Sequence, residues 1–364
     1  MSATLILGGG PAGCAAAITL AEAGHAVLLI EREAVTREKV CGEFLAADAM
    51  ALLRRLGVDP LALGGVPIRE ARLAAGARQA RLALPFEACG LPRRVLDAAL
   101  LARAAEAGAT LRRGVGATEA RAQAAGWEVR LSTGEVLHAA RLLLATGKHE
   151  LRGVARGQRG GAIGIKLPLT RCAVGDGIAL LACAGGYGGL QARPGGGANL
   201  CAALDARAPG VPDAARDASA FLRHVRAGSA LAAALLDEAE PAQQRPLTIA
   251  GVPYGFLHRG GGPPGLYRLG DQAAVIPSLC GDGVAMALDS GVQAALAILA
   301  EHAPARHHAA WAARVAAPMR IAGAIGATMA RAPRLLVAGA AFAPAAAGWA
   351  ARRMRVAEAG PRLA

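Results

Sequence analysis

Residues 4–13 read Thr4-Leu5-Ile6-Leu7-Gly8-Gly9-Gly10-Pro11-Ala12-Gly13, and the rest of the chain is best approached from this stretch. A short apolar run enters a Gly8-x-Gly10-x-x-Gly13 turn. A helix-compatible segment over 14–23 stops at Gly24, and a second strand-like run over 26–30 ends on Glu31. Strand, glycine turn, helix, strand and terminal acid make a βαβ unit. The three glycines act differently. The first makes the tight turn, the second lets backbone approach a pyrophosphate, and the third lets helix pack on strand. Phosphates are favoured at the helix start, where free N–H groups and the positive end of the dipole coincide. Glu31 stands about 20 residues on, the spacing of an acid that binds a ribose hydroxyl. An acid rather than a base there disfavours a 2′-phosphate. The unit therefore predicts binding of FAD or NAD rather than NADP.

The remaining chain narrows the class. Its 364 residues exceed one ordinary domain, so two domains, or one with a large insert, are expected. Hydrophobic residues make up 54% but aromatics only 3%, so Leu, Val and Ala must fill the core. No run of about 18 strongly apolar residues predicts a spanning helix. The N-terminal apolar run lacks a charged leader and breaks into glycines, so a cytoplasmic compartment is expected. Seven cysteines (14, 41, 89, 172, 183, 201, 280) lack CxxC spacing, against a disulfide framework or a metal site. The formal charge of +13 rests almost wholly on arginine, with lysine only at 39, 148 and 166. Those arginines are dispersed and not interleaved with aromatics, which predicts a solvated basic surface and no nucleic-acid partner.

Helices are expected over 47–56 and 93–107, each ended by a glycine, and a hairpin around Ser132-Thr133-Gly134-Glu135. A buried strand over 141–145 ends in Thr146-Gly147. The stretch 151–264 is glycine-rich, with short β-like runs such as 198–204 and one helical insert near 214–239. A strand over 265–270 and a long helix over 284–300 follow, and 305–364 is Ala-rich and helical. His302, His307 and His308, within that last stretch, are expected to be solvated.

A second motif separates FAD from NAD. From Leu266 the chain reads Tyr-Arg-Leu-Gly270-Asp271-Gln-Ala-Ala-Val-Ile-Pro277-Ser-Leu-Cys280-Gly281-Asp282-Gly283. It resembles the FAD-dependent oxidoreductases that include geranylgeranyl reductases, aromatic hydroxylases and flavin halogenases. The resemblance extends over most of the chain to about residue 300. It implies that Asp271 binds the ribityl chain. It further implies that the helix opened after Pro277 by Gly281, Asp282 and Gly283 faces the pyrimidine end of the isoalloxazine, where reduced flavin is anionic. Arg94-x-x-Asp97-x-x-Leu100 looks like the family's arginine-bearing helix, and Ala145-Thr146-Gly147 like its strand-end turn. Cofactor contacts are thus expected from Gly8, Gly10, Pro11, Ala12, Gly13, Glu31, Arg32, Cys41, Gly42, Arg94, Thr146, Gly147, Asp271, Pro277, Gly281, Asp282 and Gly283.

Lys39-Val40-Cys41-Gly42-Glu43 resembles the Cys-Gly-Glu stretch of the geranylgeranyl-reductase-like branch, beside the isoalloxazine. Gly186-Tyr187-Gly188-Gly189-Leu190 and Asn199-Leu200-Cys201 resemble that branch's sheet over the flavin. Cys41 and Tyr187 are the candidate catalytic residues; for Cys41 the competing reading is a small residue packed at a turn. Two departures matter. Halogenases carry a Trp-x-Trp-x-Ile-Pro stretch and an essential lysine beyond the first βαβ unit, whereas this chain has no lysine between Lys39 and Lys148. Aromatic hydroxylases usually place Asp-Gly where this chain reads Thr146-Gly147-Lys148.

The fold class expected is α/β: a Rossmann-like FAD-binding domain of the glutathione-reductase type, an inserted mixed β-sheet substrate domain and a helical C-terminus. The FAD-binding domain would comprise 1–65, 92–150 and 265–300, the substrate domain 66–91 and 151–264, and the C-terminal helices 301–364. No second GxGxxG opens a helix, so NAD(P)H would visit transiently as reductant. The function expected is a FAD-dependent reductase or monooxygenase of an apolar prenyl, lipid or polyketide molecule. Alternatives are a single-component aromatic hydroxylase using NAD(P)H and oxygen, and a non-enzymatic flavin redox sensor. Residues 335–351 are apolar between Arg334 and Arg352-Arg353. They would either cover the substrate domain or make peripheral contact with a membrane.

Overall fold

The computed structural model describes residues 4–172 and 174–356. Five strands form a parallel sheet in the order Leu266–Arg268, Arg141–Leu144, Thr4–Leu7, Val27–Glu31, Thr110–Arg113. Thr4–Leu7 is central and paired on both sides, so the glycine turn leaves the middle of the sheet at its carboxyl edge. Side chains alternate across a strand, and both faces are covered. Ile6, Leu29 and Leu143 pack under the helices Pro11–Glu22, Arg93–Glu106 and Gly283–Leu299. Leu5, Leu7, Leu142 and Leu144 pack against Trp127, Val129 and Leu131. Those three belong to an antiparallel layer of Ala117–Gln123, Gly126–Leu131 and Val136–Ala139.

Two glycines permit the close helix packing that this half needs. A Cβ on Gly13 would lie 1.9 Å from the Gly8 carbonyl oxygen, and one on Gly291 would lie 2.2 Å from that of Ala12. Real Cβ atoms do not approach backbone so closely, so these sites bring the first helix onto its strand and the helix Gly283–Leu299 onto the first helix.

The second half is an eight-stranded sheet. Glu70–Ala75 and Arg78–Ala83 form an edge hairpin that joins Gly177–Cys183 in parallel. Gly186–Ala192, Ala198–Asp205 and Ala162–Arg171 then continue antiparallel, and Glu240–Pro241 and Leu247–Val252 both pair with the last. Residues 70–83 thus share a sheet with 162–252, whereas Ala88–Gly90 returns to pair with Phe44–Ala46 and Val66–Pro67. The helical insert expected near 214–239 is three short helices, Val211–Ala214, Ala218–Arg226 and Ala230–Leu235, backing one face of the sheet through Phe221 and Val225. The other face, with Ala71, Leu73, Tyr187 and Ala203, packs against Met329, Val337 and Ala340 of the C-terminal helices.

Those helices are Pro304–Arg331, Pro333–Phe342 and Pro344–Arg353, each opened by a proline in its first turn, where a missing N–H costs nothing. Residues 357–364 of the expected helical tail lie outside the described residues. The α/β class, the FAD-domain-like parallel sheet, the second mixed sheet and the helical C-terminus are all present. One expectation is corrected here. His307 and His308 are not solvated but buried, stacked around Tyr267, with the His308 Nε2 accepting from the Arg268 N–H at 3.0 Å. The long helix turns them inward onto the parallel sheet.

Candidate active site

A cavity of about 1090 Å³ runs from the glycine turn to the C-terminal helices. Small-molecule sites typically enclose about 300–1,000 Å³, so it has room for a dinucleotide and a second reactant. Its polar end is the carboxyl edge of the parallel sheet, the usual ligand crevice of such folds. Gly8, Gly10, Pro11 and Ala12 line it. Gly10 provides no side-chain cap for the helix Pro11–Glu22, so the first turn's N–H groups are left for a ligand. The Glu31 carboxylate spans the turn, accepting from the Gly9 N–H at 2.6 Å and the Glu33 N–H at 3.0 Å. Arg32 lines the same end and reaches His149 Nε2 at 2.9 Å.

The arginine at this end is Arg93, not Arg94. Arg94 is exposed and pairs with Glu38 at 3.3 Å, off the cavity wall. Arg93 is half-buried in the wall, held bidentate by Asp97 at 2.8 and 2.9 Å. Adjacent helical residues point about 100° apart, so only one can face the crevice. The i,i+4 spacing from Arg93 to Asp97 was the signal for which one. Burial opposes the Arg93 charge, but Asp97 and Cys41 outweigh it and raise the guanidinium above its ordinary value.

Midway, Thr146, Gly147 and Asp271 line the wall. Asp271 accepts from Lys148 Nζ at 2.9 Å. Burial alone would lower the Lys148 ammonium, yet Asp271 and its neighbours hold it above the ordinary lysine value. Gln272 ties the turn together by donating to Thr146 Oγ1, Gly147 O and His149 O. Further along, Gly281 and Gly283 line the cavity where the helix Gly283–Leu299 begins. Asp282 does not cap that helix. Its buried carboxylate turns away to Arg355, and burial pushes it well above the usual carboxylate range. The first-turn N–H groups therefore lack a side-chain acceptor. Pro277 is also off this wall; it packs against Gly326. Gly13 acts through packing, as described above.

The Cys41–Glu43 turn forms one side of the cavity, with open space where a Cβ on Gly42 would stand. It is pinned from below. Asn199 Nδ2 donates to the Cys41 and Gly42 carbonyls at 3.1 and 3.0 Å. Glu43 is buried in the left-handed region at φ 63°, a conformation held only by strong surroundings. Its Oε1 accepts from the Arg93 N–H at 3.0 Å and from Lys166 Nζ at 2.5 Å. Lys166 also reaches Glu38, which Arg193 holds from the other side, each at 2.5 Å. Burial raises the Glu43 carboxyl despite Lys166. Sequence reasoning missed Lys166, Glu38 and Arg193. The signal was a lysine inside the apolar run 162–169 of the strand Ala162–Arg171.

Cys41 lines the cavity and its Sγ accepts from the Glu43 N–H at 3.3 Å. Tyr187 is buried, its hydroxyl 2.9 Å from Ser278 Oγ, to which Tyr254 also donates at 3.3 Å. Burial pushes the Tyr187 phenol up, so it stays protonated and can orient a ligand but not serve as a base. Beyond these residues the wall becomes apolar: Leu73, Leu82, Leu180, Ile249, Leu336 and Ala340. Among the described residues no group of His, Cys, Asp or Glu could hold a metal ion, and all seven cysteines are free thiols.

These residues fit FAD. One crevice offers uncapped helix starts at two separated places, with Asp271 between them and Cβ-free walls at Gly10, Gly42, Gly147 and Gly283. Residues 1–139 match the family model described as FAD binding domain. The menaquinone reductase of Mycolicibacterium smegmatis is 27% identical over 161 residues, covering 42% of this chain and 39% of that protein. The match thus spans well under half of that relative's length. Among solved structures, the flavin-dependent brominase Bmp2 superposes with TM-score 0.79 at 17% identity, over 97% of this chain and 93% of that one. A geranylgeranyl bacteriochlorophyll reductase-like protein from Thermoplasma acidophilum gives TM-score 0.73 at 19% identity, over 93% and 90%. PqsL from Pseudomonas aeruginosa gives 0.71 at 16%, over 93% and 98%. Residues 1–139 thus match an FAD binding domain, and the chain as a whole shares the fold of these solved structures.

Proposed function

We propose that the protein uses FAD to oxidise or reduce an apolar small molecule of prenyl, lipid or polyketide type. The observation that carries this reading is the continuity of the cavity from the glycine turn, past Cys41 and Gly283, into a chamber of Leu and Ala side chains. FAD bound there supplies hydride and electron transfer. The protein's part is to bind, orient and exclude water. Gly8–Ala12 and the first helix start would hold the phosphates, with Glu31 at the ribose. Asp271, paired with Lys148, would accept from ribityl hydroxyls. The uncapped start of the helix Gly283–Leu299 would favour negative charge beside it. Cys41 and Tyr187 would flank the substrate, and the leucine-lined wall would keep the reacting face dry. The names menaquinone reductase and geranylgeranyl bacteriochlorophyll reductase-like lend support to a reductase. NAD(P)H would serve as a transient reductant.

The test is to reduce the FAD-loaded protein anaerobically with NADH or NADPH, then follow reoxidation by prenylated quinones, polyprenyl acceptors and simple phenols, with and without oxygen. Oxygen-independent reoxidation by a prenylated acceptor is expected. Reoxidation only with oxygen plus a phenol would replace this reading with aromatic hydroxylation. Reduced protein inert to all of them would point to a flavin sensor.

A further inference from the structure

We propose that the helix pair Pro333–Phe342 and Pro344–Arg353 docks the protein on an anionic lipid bilayer. Among the described residues five large hydrophobic side chains are exposed, and three belong to this pair: Leu335, Phe342 and Trp349. Phe342 is 92% exposed and stands at the corner where the two helices bend by 110°. Soluble surfaces rarely gather such groups without use.

The charge around them is one-sided. Residues 302–356 contain eight arginines (306, 314, 320, 331, 334, 352, 353, 355) and no aspartate or glutamate. Arg314 and Arg355 are neutralised by Asp289 and Asp282 of the preceding segment, and four of the other six lie around the helix pair. Arg331, just before the pair, and Arg334, Arg352 and Arg353 at its two ends are all exposed, and Arg353 lies 5.4 Å over the Trp349 ring. Aromatic side chains among arginines at the edge of an apolar face suit the headgroup level of a bilayer. Anionic lipid supplies the missing negative charge, worth about 1 kcal/mol per arginine near the surface. A second copy meeting this one face to face would bring arginine against arginine.

The pair lies on a bilayer and does not cross it. Each ten-residue limb is about 15 Å long, half of a roughly 30 Å hydrocarbon layer. Val337 and Ala340 are buried on the protein side, and no single described helix is long and apolar enough to span. Leu336, Ala340 and Ala347 wall the apolar chamber. The same two helices thus stand between bilayer and chamber, an entry route for a lipid-borne substrate. That last step rests on the proposed function; the docking does not.

The test mixes the full chain at low salt with vesicles of phosphatidylcholine alone, or of phosphatidylcholine and phosphatidylglycerol in equal parts. Trp127 and Trp311 are buried, so Trp349 should dominate any change in emission. Sedimentation with the anionic vesicles and a blue shift are expected. Phe342→Asp should weaken partitioning about tenfold or more, as burial of one large apolar side chain implies, while leaving FAD content and melting temperature unchanged. Absence of binding to anionic vesicles would overturn the proposal. So would binding that Phe342→Asp and Trp349→Ser leave intact, which is charge adsorption elsewhere. A Trp349 shift produced by self-association or by nucleic acid, with none on vesicles, would also overturn it. Because no turnover is measured, the outcome is independent of substrate identity.

Discussion

The first helix and the last described one border the same cavity in opposite ways. From Pro11 to Leu20 every residue of the first helix is buried, whereas Pro344–Arg353 has no buried residue. In the first, and in the turn that opens it, contacts under 2.5 Å between a would-be Cβ and backbone leave glycine alone at Gly13 and Gly8. In the last, small residues cover an apolar space and many would serve. A motif is readable where sterics admit one residue type, and it fades where a helix acts as a cover.

The sharpest way to break this contrast is one substitution made in both helices. Gly13→Ala should destabilise by about 3 kcal/mol or more, since the added methyl meets backbone that cannot yield, and should abolish FAD binding. Gly348 has nothing within 4 Å, so Gly348→Ala should stabilise by about 0.4–1 kcal/mol. Denaturant midpoints and FAD titrations of the two variants read both signs; equal effects would erase the distinction.

The histidines that join the cover to the sheet give the next largest effect. Burial holds His307 down to about 4 and His308 to about 3. The unfolded chain takes up these protons near pH 6.5 and the folded one does not. Stability is therefore fully present above about 6.5 and falls below it, by about 1.4 kcal/mol per pH unit per histidine, until the folded values are reached. The raised buried carboxyls Glu43, Asp48 and Asp282 act in the other direction. The useful reading is therefore the difference in slope between wild type and His308→Gln from about pH 6.5 to 4. Matching slopes would mean that His308 takes up its proton in the folded state as readily as in the unfolded one.

Smaller effects sharpen the site itself. Asp271→Ala should weaken FAD about tenfold or more, the loss of hydrogen bonds to a charged acceptor at about 1.5–3 kcal/mol, with the melting temperature of the FAD-free protein little changed. Unaltered FAD affinity would remove Asp271 from the ribityl contact. Cys41→Ser should leave FAD affinity as it is and alter KM or kcat for the apolar acceptor. Identical kinetics would make Cys41 a packing residue of its turn.

The parallel sheet is legible because Gly8, Gly13, Glu31 and Asp271 each answer a local demand. Arg93 is hidden by its neighbour, because Arg94 and Asp97 stand at i,i+3 while the folded helix pairs Asp97 with the arginine at i,i+4. Lys166 escapes notice for a different reason. Its partners Glu38 and Glu43, and the Arg193 that shares them, come from distant segments, and only the folded chain brings them together. A composition clue exists: in a chain that uses arginine nearly everywhere, Lys39 and Lys148 line the cavity and Lys166 supports its floor. The burial of His307 and His308 likewise depends on how the long C-terminal helix lies on the strand Leu266–Arg268, which local periodicity does not encode.

The central claim is one cofactor bridging the glycine turn and the start of the helix Gly283–Leu299. Its most direct test is to purify the chain, or load it with flavin, then denature it and identify what is released. A yellow protein that yields FAD at one equivalent per chain, with FMN unable to replace it, is the expected result. A colourless protein that binds neither, or one that holds FMN as tightly as FAD, would contradict it.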